Sequence, residues 1–444
     1  MTSHRPSRWD VAASAVRRSA ASLAGLLARL GFDLRWTHLG WALMRIGYHA
    51  AVFWLLADLW VWRESAFASS PVAGPCLLAA GLIVNALLVV GWRTRPLLLV
   101  NAAILRVTFA LCEDPYTVDE IVENFSLVLV FAPRPLALAL DCKGQPGRPG
   151  QPLPRHFCVL VFAALVLLYE DSVIHKLGST VWRDGSIVWL AAAMPHAGGG
   201  FFPSWAQEAW LARAVAYGAL AYEALFPLVA FRRLRLLFCA TGILMHVATG
   251  LLYPMPQFGL VMVAALLLLL PRATGTGAPP PTRRRTALLA YGLAVAMTVS
   301  QIGLILHPWE PRGRLSRLVS TYPHPFFIDW HFQLHAPILR YTVEVDGRQV
   351  AIPSFDEDGH PEVRDRYWKV LAFSLRGDWR GQDMMTRYLR AWLLRQGLTR
   401  ARVTVWCRDV SLPRLELDFG LADELARRRF APCGSIDFSP GPGG

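Results

Sequence analysis

Ionisable side chains inside apolar stretches are where this chain can do chemistry, because each is expensive in hydrocarbon and needs a partner. The candidates are Arg45, His49, Arg106, Glu123, Glu170, Asp171, His175, Lys176, Glu223 and His246. Lys176 stands apart by composition. Of 45 basic residues only Lys143, Lys176 and Lys369 are lysine. A desolvated amine can give up its proton near neutral pH, whereas a guanidinium cannot, so Lys176 is a candidate general base. The alternative is an interfacial lysine whose ammonium reaches water. On a helix, Tyr169, Ser172, Val173 and Lys176 share one face, and Asp171 lies one turn before His175 on an adjacent face. Burial would weaken the amine's hold on its proton, and nearby carboxylates would strengthen it.

The elements that must carry these residues read as membrane spans. Nine apolar stretches approach the length needed to cross about 30 Å of hydrocarbon. They lie near 38–62, 72–92, 96–112, 117–133, 156–177, 210–231, 234–254, 256–271 and 286–307. Residues 1–37 are Arg-rich, with Leu23, Leu26, Leu27 and Leu30 at helical spacing, which predicts an interfacial helix and no cleavable signal peptide.

Composition agrees. The 444 residues are 54% hydrophobic and only 17% charged, with 17 Trp and 22 Phe; an ordinary soluble domain carries about a quarter charged residues. Disorder, a collagen-like chain and a small disulfide scaffold are excluded. Seven cysteines without CxxC spacing signal neither zinc nor a redox pair. The net charge of +13 is explained by sidedness. Nineteen Lys and Arg fall in the N-terminal segment and alternate loops, against two, Arg63 and Arg183, in the opposite connections, or four with Lys176 and Arg213 at the span edges. The expected topology is multi-pass with a cytoplasmic N-terminus and an extracytoplasmic C-terminus. Nucleic acid is not needed as a partner; the lipid bilayer is.

Gly277–Thr282 reads as a loop before the last span, and residues 308–444 have soluble periodicity. Tyr341–Val345 and Arg348–Ile352 flank Asp346-Gly347, a two-residue hairpin turn. Further strands are expected at Tyr367–Leu375 and Arg402–Val410, with a helix near 382–396 ending at Gly397. The expected fold is therefore an all-α polytopic bundle of about nine spans (38–307) followed by a small α+β extracytoplasmic domain (308–444).

Other polar residues have structural alternatives. Arg45 and Glu123 read as a buried interhelical ion pair, with Arg106 a further intramembrane polar group. Glu223 beside Tyr222 can bond a neighbouring helix, and His246, with Gly242, Thr249 and Gly250 at helical offsets, can act as interhelical glue. Trp182, Trp54, Trp60 and Trp62 read as interfacial anchors. His331 and His335 are four apart but lack a clear third ligand, so no metal is expected. Cys407 and Cys433 are candidates for an extracytoplasmic disulfide.

The run Tyr169-Glu-Asp-Ser172-Val-Ile-His175-Lys176-Leu177, followed by Trp182 and Gly185, resembles the Y-x-x-S/A-G-x-x-K-L-x4-W-x-x-G stretch of the HTTM domain. This is the transmembrane domain shared with vitamin K-dependent γ-glutamyl carboxylases. Arg45, Asn124, Pro133, Glu223, Pro227 and His246 extend the resemblance over about residues 35–272. Val173 departs from the usual Gly, and the outer domain is much smaller than that of the animal carboxylase. The resemblance implies a lyase-class enzyme using a reduced, vitamin K-like quinone with O2 and CO2. Lys176 would deprotonate the quinone, oxygen would convert it to an alkoxide that takes a γ-proton from Glu in an exported peptide or protein, and the carbanion would capture CO2. His246 and His175 would bond quinone or peptide oxygens, with Glu223, Trp182, Tyr169 and Ser172 lining the pocket. An alternative from the same relatives is a non-carboxylating membrane partner for maturation of, or immunity to, an exported peptide, with Lys176 structural. A transporter is disfavoured because no inverted repeat or pair of broken helices is visible.

Overall fold

The computed structural model describes residues 29, 31–61, 63–67, 70–112, 117–142, 149–185, 187–188, 208–252, 256–270, 284–306, 338–345, 348–350, 401–408 and 431–438. The helices are α1 (His38–Val61), α2 (Arg63–Ala66), α3 (Ala73–Val90), α4 (Thr94–Leu111), α5 (Thr117–Leu129), α6 (Arg155–Gly178), α7 (Thr180–Arg183), α8 (Ala209–Ala224), α9 (Arg235–Leu252), α10 (Pro256–Leu267) and α11 (Arg284–Leu306). Each of the nine predicted stretches carries one of the longer helices. Among the described residues, α1, α3, α4 and α6 are long and apolar enough to cross a membrane, and α9 and α10 are shorter apolar helices. These features mark an integral membrane protein built mostly of helices. The predicted 210–231 stretch is not one helix. It breaks at Leu225 into a 3-10 turn, Phe226–Ala230, where Pro227 lacks the N–H that α-helical bonding needs.

α1 is the centre of the bundle, packing on α3 on one side and α10 on the other. Trp41, Met44, Tyr48, Val52, Leu56 and Leu59 on it are fully buried. Gly47 permits the close approach to α10, since a Cβ there would come within 2.9 Å of the Ala264 Cβ. α9 packs on α10, α6 on α11 and α8, and α3 and α4 lead to α5. Large apolar side chains such as Ile83, Leu99, Leu244, Leu251, Leu288 and Val295 point outward, as a lipid-facing surface requires.

The turn from α3 to α4 is fixed from distant points. α3 ends with Gly91 in the left-handed region (φ 71°), and the Gly91 and Trp92 N–H groups bond the Leu88 and Leu87 carbonyls. The fully buried Arg45 donates to the Leu88 and Leu138 carbonyls and, at 2.7 Å, to Val89 O. The expected Arg45–Glu123 ion pair is therefore not formed. The negative end of the α3 dipole takes the guanidinium instead. Glu123 on α5 pairs with Arg106 on α4. Asp141 caps α4 by accepting the Arg93 and Thr94 N–H groups at 2.7 and 2.8 Å.

Four strands follow: β1 (Ile338–Val345), β2 (Arg348–Val350), β3 (Ala401–Arg408) and β4 (Ala431–Phe438). They form one antiparallel sheet in the order β2-β1-β3-β4. Val345 pairs with Arg348, the register expected of the two-residue hairpin. β4 was not expected from the sequence, because Pro432 and Gly434 disfavour a strand; it pairs with β3 across a register shift at Val405/Trp406. The predicted N-terminal interfacial helix, the Gly277–Thr282 loop, the 367–375 strand, the 382–396 helix, Trp62, and the His331 and His335 pair lie outside the described residues, as do the side chains of Cys407 and Cys433.

Two predictions follow from the α3–α4 turn. Arg45→Met keeps the bulk but removes the donor to Val89 O and Leu138 O and one of the two donors to Leu88 O. It should lower stability by about 1–2 kcal/mol, at roughly 1 kcal/mol per lost hydrogen bond discounted for the two part-exposed acceptors, read as an earlier thermal transition in detergent. Burial pushes the Asp141 carboxyl up, but the Thr94 and Arg93 hydrogen bonds and the Arg134 charge outweigh it, holding it below the ordinary 3.8. A depressed carboxylate contributes stability above its unfolded value, and that contribution disappears as pH falls through the lower folded value. The thermal gap between wild type and Asp141→Asn should thus be constant above pH 3.8 and close below it.

Candidate functional site

The site grows from the last two turns of α6. Apolar residues carry this helix through the bundle, and its buried face ends in Leu168, Tyr169, Asp171, Val173 and Lys176. Lys176 lies two turns beyond Tyr169, so both project the same way. α8 supplies Tyr222 and Glu223, and α9 supplies His246.

The Lys176 amine is turned away from both lipid and water, with 5% of the residue exposed. Nζ donates to Glu223 Oε1 at 2.5 Å and Oε2 at 2.6 Å. It also stands 4.4 Å from the centre of the Trp182 ring, close enough for a cation–π interaction. An interfacial lysine with its ammonium in bulk water is not what the structure contains. Trp182, read from the sequence as an interfacial anchor, is buried and covers the amine.

One turn and more below, an aromatic wall surrounds a second polar pair. The Tyr169 hydroxyl lies 2.7 Å from His246 Nε2. The Tyr169 ring packs 4.2 Å from Phe226 and edge-on to Tyr222 at 5.7 Å, and Phe258 meets the His246 ring at 5.5 Å. If Tyr169 donates, Nε2 accepts and Nδ1 carries the imidazole proton. Nδ1 is buried and has no hydrogen-bond partner among the described residues. A buried donor without an acceptor costs about 1–3 kcal/mol. Gly242 makes room for this arrangement, since a Cβ there would collide with the Tyr222 hydroxyl.

The sequence-predicted residues separate into two groups. Lys176, Glu223, Trp182, Tyr169 and His246 come together. His175 does not join them: it is partly exposed on the next face, with Nε2 3.4 Å from Asp171 Oδ1. A residue adjacent in sequence is turned about 100° around the helix, which moves it off the Lys176 face. Ser172 is half-buried. Arg45, Arg106 and Glu123 lie in the α1–α3–α4–α5 part of the bundle and hold helices together. Sequence reasoning missed Tyr222, Phe226 and Phe258 as walls; the i, i+4 spacing of Tyr222 and Phe226 was the available signal. It also missed a separate buried chain, His49 Nδ1 to Asn85 Oδ1 and Asn85 Nδ2 to Asn101 Oδ1, each 2.8 Å, which ties α1 to α3 and α4. No group of three or more His, Cys, Asp or Glu suited to a metal occurs among the described residues.

The Lys176–Glu223 pair makes a stability prediction independent of activity. Glu223→Leu strands a buried cation and should cost about 3–5 kcal/mol. The double variant Lys176→Met with Glu223→Leu should recover most of that loss, measured as a double-mutant cycle in detergent. Strict additivity would show that the two side chains do not interact. Comparison with known protein families, curated proteins and solved structures gives no match to this chain.

Proposed function

We propose that this is a polytopic membrane enzyme of the HTTM, carboxylase-like type, acting on a lipid-soluble reduced quinone. The observation that carries the reading is the Lys176 amine: buried, facing neighbouring helices, and held between a carboxylate and an indole. A lysine kept there in a chain that otherwise uses arginine has the chemistry of a general base.

The chemistry of the side chains supports a flat aromatic ligand. Tyr169, Tyr222, Phe226 and Phe258 gather aromatic rings here, and His246 Nδ1 is a polar atom without a partner among the described residues that could meet a ring oxygen. A reduced quinone bound there would supply, with O2, the base strong enough to take the γ-proton of a glutamate, whose carbon then captures CO2. Lys176 takes the hydroxyl proton of the ligand. His246, positioned by Tyr169, orients the ligand oxygen. Trp182 and the aromatic wall exclude water, which would otherwise quench strong bases and carbanions.

The same proposal includes the finer topology: nine spans, a cytoplasmic N-terminus, and an extracytoplasmic domain from 308 that meets an exported peptide or protein. The arginine-rich alternate loops support it. Lys176→Ala and Lys176→Arg should each abolish quinol oxidation by the purified protein, a loss of at least about 100-fold. Full activity in Lys176→Arg would show that only the charge is needed. Wild-type protein that neither oxidises a quinol nor fixes labelled bicarbonate into a glutamate-containing peptide would instead point to a non-catalytic maturation or immunity partner.

A further inference from the structure

The Lys176–Glu223 contact poses a problem for the base that it also solves. An amine that already carries a proton cannot accept another, and hydrocarbon offers no water to remove it. The carboxylate faces the amine with both oxygens, at 2.5 and 2.6 Å, and both side chains are buried. At such separation the amine's hydrogens point straight at the carboxylate oxygens, in a short charge-assisted hydrogen bond. The pair is electrically neutral whichever partner holds the proton, so the transfer leaves no net charge in the low-dielectric interior.

We propose that Lys176 and Glu223 share one proton, and that Glu223 is the positioning residue that takes it to free the amine. The sequence of events balances. The ammonium–carboxylate pair becomes an amine–carboxylic acid pair by transfer of one proton from Nζ to a carboxyl oxygen. The amine lone pair then accepts the ligand's hydroxyl proton, leaving a ligand anion beside the ammonium. The Glu223 proton then passes to the anionic oxygen of the reacted ligand as that ligand leaves, and the ion pair is restored. The groups that face this exchange are Tyr169 on α6, Tyr222 on α8, His246 on α9, and the Trp182 ring. Asp171 and His175 pair with each other on the adjacent face of α6. The part played by the ligand rests on the proposed function, whereas the shared proton does not.

The scarcity of lysine makes the test direct. With only Lys143, Lys176 and Lys369 in the chain, ¹⁵N-lysine labelling gives three side-chain signals, and Lys143→Arg and Lys369→Arg identify the one from Lys176. The expected Nζ signal lies between the ammonium and amine positions and shifts in heavy water. Glu223→Gln removes that behaviour, and Glu223→Asp, which keeps an acid, retains part of it. A signal at the ammonium position, unchanged in Glu223→Gln, would overturn the proposal by showing a static ion pair. If Glu223→Gln does not fold, the wild-type signal alone decides. In turnover, Glu223→Gln should lower kcat for quinol oxidation about 100-fold with KM unchanged. Full turnover in that variant would also overturn the proposal. A wild type without quinol oxidation defeats the enzyme reading and still leaves the nitrogen signal to judge the pair.

Discussion

Inside a bilayer a polar group has only the protein to bond with, and that constraint accounts for how several polar residues of this bundle are placed. Arg45 is spent on helix-end carbonyls, Arg106 on Glu123, His49 and two asparagines on each other, and Lys176 on Glu223. Each of these bonds joins different helices, so satisfying a polar atom also fixes how two helices lie together. The apolar packing around α1 sets how closely the helices approach. The polar bonds set their rotation and register.

Both polar regions combine matched groups with a buried atom left over. Around the α3–α4 turn, backbone and side-chain groups close on one another through Arg45, Asp141 and Arg134, with Arg45 Nε unpartnered among the described residues. The Lys176 region follows the same pattern. Its amine and carboxylate are matched, yet His246 retains a buried nitrogen without a described partner beside a wall of rings.

Much of the scaffold was legible because its cause is local. Hydropathy over about 20 residues marks a helix in a membrane regardless of neighbours, and the nine stretches carry helices accordingly. Lys176 was legible from composition, and Tyr169 from its spacing two turns earlier. Partners were not legible, because pairing depends on helix order and rotation, which no spacing within one helix encodes. Thus Arg45 was assigned to Glu123 when carbonyls of α3 were nearer, and His175 was grouped with Lys176 although it points around the helix. The break after α8 was hidden by continued apolar composition through Pro227, and β4 by Pro432 and Gly434. In each case tertiary context overrode the local pattern.

Asp141 caps α4 from 47 residues downstream. Arg45 reaches Leu138 on the same connecting segment and the end of α3 as well. A chain emerging from the ribosome therefore makes α3 and α4 well before it makes the carboxylate that closes the first turn of α4. Until that segment arrives, the first amide hydrogens of α4 have no carboxylate to bond and the corner between α3 and α4 remains open. The order of synthesis thus gives α1, already in place with its arginine, the part of a waiting scaffold on which the later corner is locked.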